Sequence, residues 1–181
     1  MVGIAHHAPR FHEVAFVDAG LHRIDTLLHA LRPDLAVFTI HRRRSGLLQM
    51  LEALDGARGL TAIHVIAHGE PGALILGRTR LTARSIATGR EALAEIGATL
   101  DTHGDLLVYG CNVASGALGR AWLHALADAT GARVAAASAL VGAPALGGGS
   151  ELSVHSGTVA ARPLDLSRYA GVLAGTAPPA R

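Results

Sequence analysis

A histidine and the chain's single cysteine each follow an apolar run that is typical of a buried strand. His68 lies near the end of LTAIHVIAHG (residues 60–69), and Cys111 lies near the end of DLLVYGCN (residues 105–112). A thiol beside an imidazole is a nucleophile pair, because the imidazole holds the thiolate as an ion pair or protonates the leaving amine. We therefore expect His68 and Cys111 to act together if the fold brings these strand ends into one cleft.

Backbone N–H groups beside this pair can stabilise the negative charge that develops on a carbonyl oxygen during acyl transfer. We expect the N–H groups of Gly69 and Cys111 to form such an oxyanion hole, because both lie where a strand gives way to a loop. Glycine at position 69 also lets the backbone approach a substrate closely, because it has no Cβ.

Each of these residues also has a simpler structural interpretation. A lone cysteine in a strand is usually a small buried apolar residue. A histidine at a strand end is often a turn residue whose ring is already hydrogen-bonded. A buried Cys111 thiol would favour the structural interpretation, and the sequence alone leaves both open.

Strand and helix patterns alternate along the chain. They predict strands at 13–20, 35–40, 60–69, 105–112 and 133–138, helices at 21–31, 46–54, 83–98 and 116–129, and hairpins at 73–82 and 151–164. Strands that are apolar on both faces indicate a mainly parallel sheet with helices on each side. The predicted fold class is therefore α/β, a three-layer sandwich with small accessory hairpins.

This fold class would position the two candidate residues. Ligand sites in such sheets lie at the carboxyl ends of the strands, near the point where strand order reverses. Consecutive strands are usually neighbours, and neighbours lie about 4.8 Å apart. The strand ends at His68 and Cys111 should therefore face one cleft.

Composition excludes several classes of function. The chain has 181 residues, of which half are apolar, and a formal net charge of +2 with 3% aromatic residues, which argues against a nucleic-acid surface. No apolar run is long enough for membrane insertion, and no N-terminal signal peptide is visible. One cysteine excludes a multi-cysteine metal site, and neither a metal nor a cofactor is expected. We expect a single domain over residues 13–174, with flexible termini at 1–12 and 175–181.

The order of these motifs resembles that of the caspase-like cysteine peptidases. More closely, the chain resembles a bacterial domain family of unknown function, the family numbered 4347, which occurs near the N-terminus of very large RTX-, cadherin- and haemolysin-type surface or secreted proteins. The matching stretches are FVDAG, RSGLLQMLEAL, AIHVIAHGEPGALILG, DLLVYGCNVASGALG and TGARVAAASALVG. The stretch RYAGVLAG also resembles the segment that comes after the domain in those proteins, so the resemblance covers about residues 13–174.

The resemblance implies a role for each candidate residue. It makes Cys111 the nucleophile, His68 the general base and acid, and Gly69 part of the oxyanion hole. It also places Asp18 and Ser138 near the pocket for the residue before the cleaved bond. An ionised Asp18 would pair with an arginine or lysine of the substrate, although a turn role capping the following helix is an equal alternative.

The leading hypothesis is a caspase-like cysteine peptidase that acts on a polypeptide or on its own flanking chain. The alternative is a non-catalytic, peptidase-like module that serves secretion or assembly of a bacterial surface protein. Another α/β hydrolase or a nucleotide-binding protein is disfavoured, because the sequence has no G-x-S-x-G elbow and no phosphate-binding glycine motif. The resemblance suggests a secreted or cell-surface location, while cleavage preference and oligomeric state stay open.

Overall fold

A six-stranded sheet lies at the centre of the fold. The computed structural model describes residues 12–174 of the chain. In chain order the strands and helices are β1 (Glu13–Asp18), α1 (Ile24–Ala30), β2 (Ala36–Ile40), α2 (Gly46–Ala53), β3 (Leu60–Ile66), β4 (His68–Glu70), β5 (Ala73–Leu76), β6 (Thr79–Thr82), α3 (Ala83–Thr88), α4 (Arg90–Gly97), β7 (Leu100–Tyr109), α5 (Gly116–Thr130), β8 (Arg133–Ala136) and β9 (Val154–His155). The order in the sheet is β2-β1-β3-β7-β8-β9, and neighbours are parallel except for β8 and β9.

Helices cover the sheet on both sides, which confirms the predicted three-layer α/β architecture. One face buries apolar residues of α2, α3, α4 and α5, including the fully buried Trp122, and the other face buries Leu27 of α1. The step from β1 to β2 runs along the sheet in the opposite direction from the steps that lead to β3, β7 and β8. Because crossovers between parallel strands are right-handed, this reversal places α1 on the opposite face.

The same reversal defines the edge of the sheet where a ligand site is expected. Strand order changes direction between β1 and β3, and β3 pairs with β7, with Ile66 opposite Tyr109. The prediction that the strands before His68 and Cys111 are neighbours is therefore confirmed. The carboxyl ends of β1, β3 and β7 all open onto this edge.

The predicted strand at 60–69 is interrupted at Ala67. β3 ends at Ile66, and His68 begins β4, which forms a separate antiparallel sheet with β5 and β6. Pairing of β4 with β5 draws the chain away from the central sheet, with His68 opposite Ile75. The predicted hairpin at 73–82 is confirmed as β5 and β6.

The predicted helix at 83–98 is divided at Gly89 into α3 and α4. Thr82 begins α3 with a capping box, in which the Thr82 hydroxyl accepts from the N–H of Ser85 and the Ser85 hydroxyl accepts from the N–H of Thr82. A side chain at Gly89 would lie 3.3 Å from Leu47 of α2, so the junction packs closely against that helix.

The predicted hairpin at 151–164 is wrong. Its first part pairs with β8 as β9, but the chain then crosses the face of the sheet instead of returning along the edge. Side chains satisfy its backbone there: the N–H groups of Ala160 and Ala161 donate to Asp105, and that of Leu164 donates to the Tyr109 hydroxyl. These bonds replace the ladder that a second strand would need.

Among residues 12–174, no helix is long and apolar enough to span a membrane. The expectation of flexible termini concerns residues that lie outside the described range, apart from His12. The carbonyl of His12 accepts hydrogen bonds from the backbone N–H and the hydroxyl of Thr61 at 2.7 and 3.0 Å.

Candidate functional site

The strand ends that carry His68 and Cys111 come together at the carboxyl edge of the sheet. Gly69 packs directly against the peptide between Gly110 and Cys111: a Cβ added at Gly69 would lie 2.5 Å from the Gly110 carbonyl carbon and 2.7 Å from the Cys111 nitrogen. Because these neighbours are backbone atoms, a side chain at position 69 would force the two strand ends apart. Glycine is therefore required there for close approach of the backbones.

Cys111 is completely buried. Its Sγ accepts a hydrogen bond from the N–H of Val141 at 3.2 Å and donates to the carbonyl oxygen of the same residue at 3.6 Å. Burial raises the pKa of the Cys111 thiol, while hydrogen bonds from the backbone of Val141 and Leu173 oppose that rise. With its surroundings in this arrangement, the thiol is neutral at neutral pH.

His68 is half-buried, and its Nδ1 atom is buried without a hydrogen-bond partner among residues 12–174. No hydrogen bond joins His68 to Cys111 in the described part of the chain, where the Sγ atom bonds to Val141. Buried polar atoms are normally paired, so an unpartnered imidazole nitrogen at this edge is unusual. The catalytic pairing of the two residues stays a prediction.

Residues Gly171–Ala174, here called the C-terminal segment, cover this edge. The N–H of Leu173 donates to the carbonyl of Val141 at 2.9 Å, and the N–H of Ala143 donates to the carbonyl of Gly171 at 2.7 Å. These bonds hold the segment beside the loop after β8. In the sequence, the stretch RYAGVLAG is notable only for its resemblance to a segment of other proteins. Nothing in its composition indicates that it returns to Cys111.

The N–H of Gly69, which we expected in an oxyanion hole, already has a partner. It donates to the carbonyl oxygen of Leu173 at 3.0 Å, and Gly69 forms a bridge with Ala174. A peptide carbonyl from the chain itself therefore occupies the backbone donor of Gly69.

Asp18 is buried, with 4% of its surface exposed, and its carboxylate binds the backbone through both oxygens. One oxygen accepts from the N–H of Gly20 at 2.6 Å, and the other accepts from the N–H of Gly77 at 2.5 Å. These bonds tie the turn after β1 to the turn of the small sheet, because Gly77 connects β5 and β6. A role for Asp18 in the substrate pocket stays a prediction.

Ser138 follows β8 and is half-buried. Its hydroxyl lies 2.7 Å from the hydroxyl of Ser153, next to β9. This bond links the loop after β8 to the residue that precedes β9. The predicted pocket role of Ser138 is likewise left as a prediction.

A buried hydrogen-bond network lies within the sheet near this site. His64 on β3 is fully buried, with Nε2 3.0 Å from a carboxylate oxygen of Glu13 and Nδ1 3.3 Å from the hydroxyl of Tyr109. A carboxylate only accepts, so Nε2 carries the proton and Nδ1 of the neutral ring accepts from Tyr109. The Glu13 carboxylate also accepts a hydrogen bond from Arg32 at 2.6 Å. The Tyr109 hydroxyl accepts one from the N–H of Leu164 at 2.7 Å.

This network predicts that acid destabilises the fold. Burial lowers the pKa of His64, and the hydrogen bond to Glu13 offsets only part of that effect. Burial alone would raise the pKa of Glu13, but its bonds to His64 and Arg32 outweigh burial and lower it. Below about pH 6.5 the unfolded chain binds a proton at His64 that the folded chain does not. The free energy of unfolding therefore decreases as the pH is lowered. Glu13 adds a loss of the same sign below about pH 4.5.

The His64→Gln variant isolates the histidine contribution, because glutamine does not titrate. Urea unfolding of both proteins between about pH 7 and 5 should show a shallower loss of unfolding free energy in the variant. Parallel pH profiles for the two proteins would contradict this prediction.

In the described range, no group of three or more His, Cys, Asp or Glu residues is arranged to hold a metal ion.

Comparison with protein families identifies the chain as a whole. The family model described as "Domain of unknown function (DUF4347)" matches residues 14–173. No curated protein and no solved structure is significantly similar to the chain. The matched range includes His68, Cys111 and the C-terminal segment as far as Leu173. The chain belongs to the DUF4347 family.

Proposed function

We propose that this domain is a caspase-like cysteine peptidase in which Cys111 is the nucleophile and His68 is the general base and acid. One observation supports the proposal: the carbonyl oxygen of Leu173 accepts a hydrogen bond from the N–H of Gly69, the residue that packs against the Gly110–Cys111 peptide. An extended peptide in that position is what an acyl-transfer site must bind.

Each group has a distinct role in the proposed reaction. The Cys111 sulfur attacks the peptide carbonyl carbon, and the N–H groups of Gly69 and Cys111 stabilise the negative charge that develops on its oxygen. His68 takes the thiol proton and delivers it to the leaving amine. Within residues 12–174 the Nδ1 of His68 has no hydrogen-bond partner, so this nitrogen is available for the proposed role.

The complete burial of Cys111 favours a second candidate function. A neutral thiol with a raised pKa is inert, which fits a peptidase-like module that serves secretion or assembly of a bacterial surface protein. In either case the resemblance to domains of large RTX- and cadherin-type proteins supports a secreted or cell-surface location. The two functions differ in whether Cys111 becomes reactive once it is uncovered.

The pH dependence of alkylation separates them. In the Leu173→Asp variant, a carboxylate replaces a buried side chain of the C-terminal segment and displaces the segment from Cys111. For the peptidase, iodoacetamide should alkylate this variant below about pH 7, and adding His68→Ala should remove that reactivity. The proposal fails if the thiol reacts only near its ordinary pKa of about 8.5, with or without His68.

A further inference from the structure

We infer that the C-terminal segment is the substrate strand of this site, and that the peptide bond between Leu173 and Ala174 is the one cleaved. The inference rests on the proposed function and names its substrate: the chain itself. Three features carry it, namely the backbone pairing of the segment, the position of the Leu173 carbonyl and the burial of the Leu173 side chain.

The segment pairs with the loop after β8 as an antiparallel strand. Gly142 and Val172 form an antiparallel bridge, flanked by the two hydrogen bonds that hold the segment beside this loop. The approach is so close that a Cβ at Gly142 would overlap the Gly171 oxygen and lie 2.7 Å from the Val172 Cα. Strand addition through the backbone is a common way for a protein to bind an extended peptide.

The carbonyl of Leu173 contacts the backbone donor that the proposed oxyanion hole would use. Its oxygen accepts from Gly69, while the Leu173 N–H and the Cys111 Sγ share one partner, the carbonyl oxygen of Val141, at 2.9 and 3.6 Å. The Cys111 sulfur and the Leu173 N–H are therefore both bonded to the same carbonyl oxygen. The residue after that carbonyl, Ala174, continues past Gly69, with which it forms a bridge.

The Leu173 side chain defines the residue that the pocket accepts. It is completely buried in an apolar cluster that includes Leu21, Tyr109 and Val141. Each oxygen of the Asp18 carboxylate accepts a backbone N–H, which is a turn-stabilising role. Because the Leu173 side chain is buried among apolar residues, we assign the pocket to an aliphatic residue before the cleaved bond.

The reaction balances with water as the co-reactant. The Cys111 sulfur forms a bond to the Leu173 carbonyl carbon, and its proton passes to His68. The bond between that carbon and the Ala174 nitrogen breaks, and His68 protonates the new amine. Water then hydrolyses the thioester, which regenerates the thiol and leaves Leu173 as a carboxyl terminus.

Intact-mass measurement of the full chain tests the inference. The wild-type protein should contain a species that ends at Leu173, whereas Cys111→Ala and His68→Ala should retain the full length. His124→Ala, which changes an exposed histidine on α5, is the matched control and should be processed as the wild type is. Circular dichroism on each variant confirms that a loss of cleavage occurs in a folded chain.

The outcomes separate this inference from the proposed function. Full-length wild-type protein whose uncovered thiol is alkylated below about pH 7 in a His68-dependent way would overturn the cleavage site and leave the peptidase standing. Cysteine-dependent cleavage at another bond would overturn the assigned register in the same way. A chain that stays intact and whose thiol is inert after uncovering would overturn both.

Discussion

The Gly69→Ala variant is expected to cleave its own chain at least about a hundredfold more slowly than the wild type. The added Cβ would meet the Gly110–Cys111 peptide at 2.5 to 2.7 Å, and these backbone atoms can yield only if the two strand ends move apart. That movement takes the Gly69 N–H away from the Leu173 oxygen. Loss of one oxyanion donor lowers the turnover rate by roughly 10²–10³-fold in acyl-transfer enzymes.

The rate can be followed by pulse–chase during cell-free synthesis, with the fraction of full-length chain as the readout. Gly157→Ala is the matched control, because a Cβ at Gly157 would meet only the Arg133 side chain at an ordinary distance of 3.7 Å. A folded Gly69→Ala chain that is processed as fast as the control would contradict the assigned oxyanion hole.

The sequence predicts the meeting of the strand ends near His68 and Cys111 well, because the patterns that indicate strands and helices are local. Apolar runs and helical periodicity predict alternating elements, and the preference for right-handed crossovers between neighbouring strands then leaves few possible topologies. Those rules suffice to bring the residues after β3 and β7 to one edge. They do not predict the break at Ala67, because the apolar run continues through it and the break depends on the pairing of β4 with β5.

The C-terminal segment shows what local patterns leave out. Its backbone partners lie in the loop after β8 and at Gly69, far from it along the chain. Hydrogen bonds between N–H and carbonyl groups carry no signature of residue type, so the sequence gives no sign of this return. The network of His64, Glu13 and Tyr109 escaped prediction for a related reason, since its members come from three separate strands.

The C-terminal segment also changes how the burial of the Cys111 thiol is interpreted. Burial of a lone cysteine ordinarily indicates a structural residue. Here a backbone hydrogen bond from Leu173 acts on the Cys111 thiol and opposes the rise in its pKa. Burial and the closeness of Cys111 raise the pKa of Tyr169, which precedes the C-terminal segment, to about 12. A thiol covered by a bound peptide strand is buried whether it is catalytic or not. Burial therefore separates the two candidate functions only when the contribution of the segment is measured.

The Leu173→Asp variant measures that contribution and is expected to speed alkylation of Cys111 on the order of a hundredfold. The wild-type leucine is completely buried, and an unpaired carboxylate in the same apolar cluster is destabilised by several kcal/mol. The segment should therefore leave the loop after β8 and open the route to the thiol. The comparison is made in a His68→Ala background, so that the chain stays intact, and at about pH 8.5, where an ordinary thiol is half ionised.

Ser167→Asp in the same background is the matched control, because it adds the same charge at an exposed position a few residues earlier. The control should react as slowly as the His68→Ala parent, since nothing uncovers its thiol. Urea unfolding of both variants then shows whether faster labelling comes from local opening or from loss of the whole fold. Equal labelling rates in Leu173→Asp and Ser167→Asp would mean that the core of the domain, and not the C-terminal segment, buries Cys111. A substrate peptide could not then reach the sulfur by exchanging with that segment, and the case for a peptidase would lose its geometric basis.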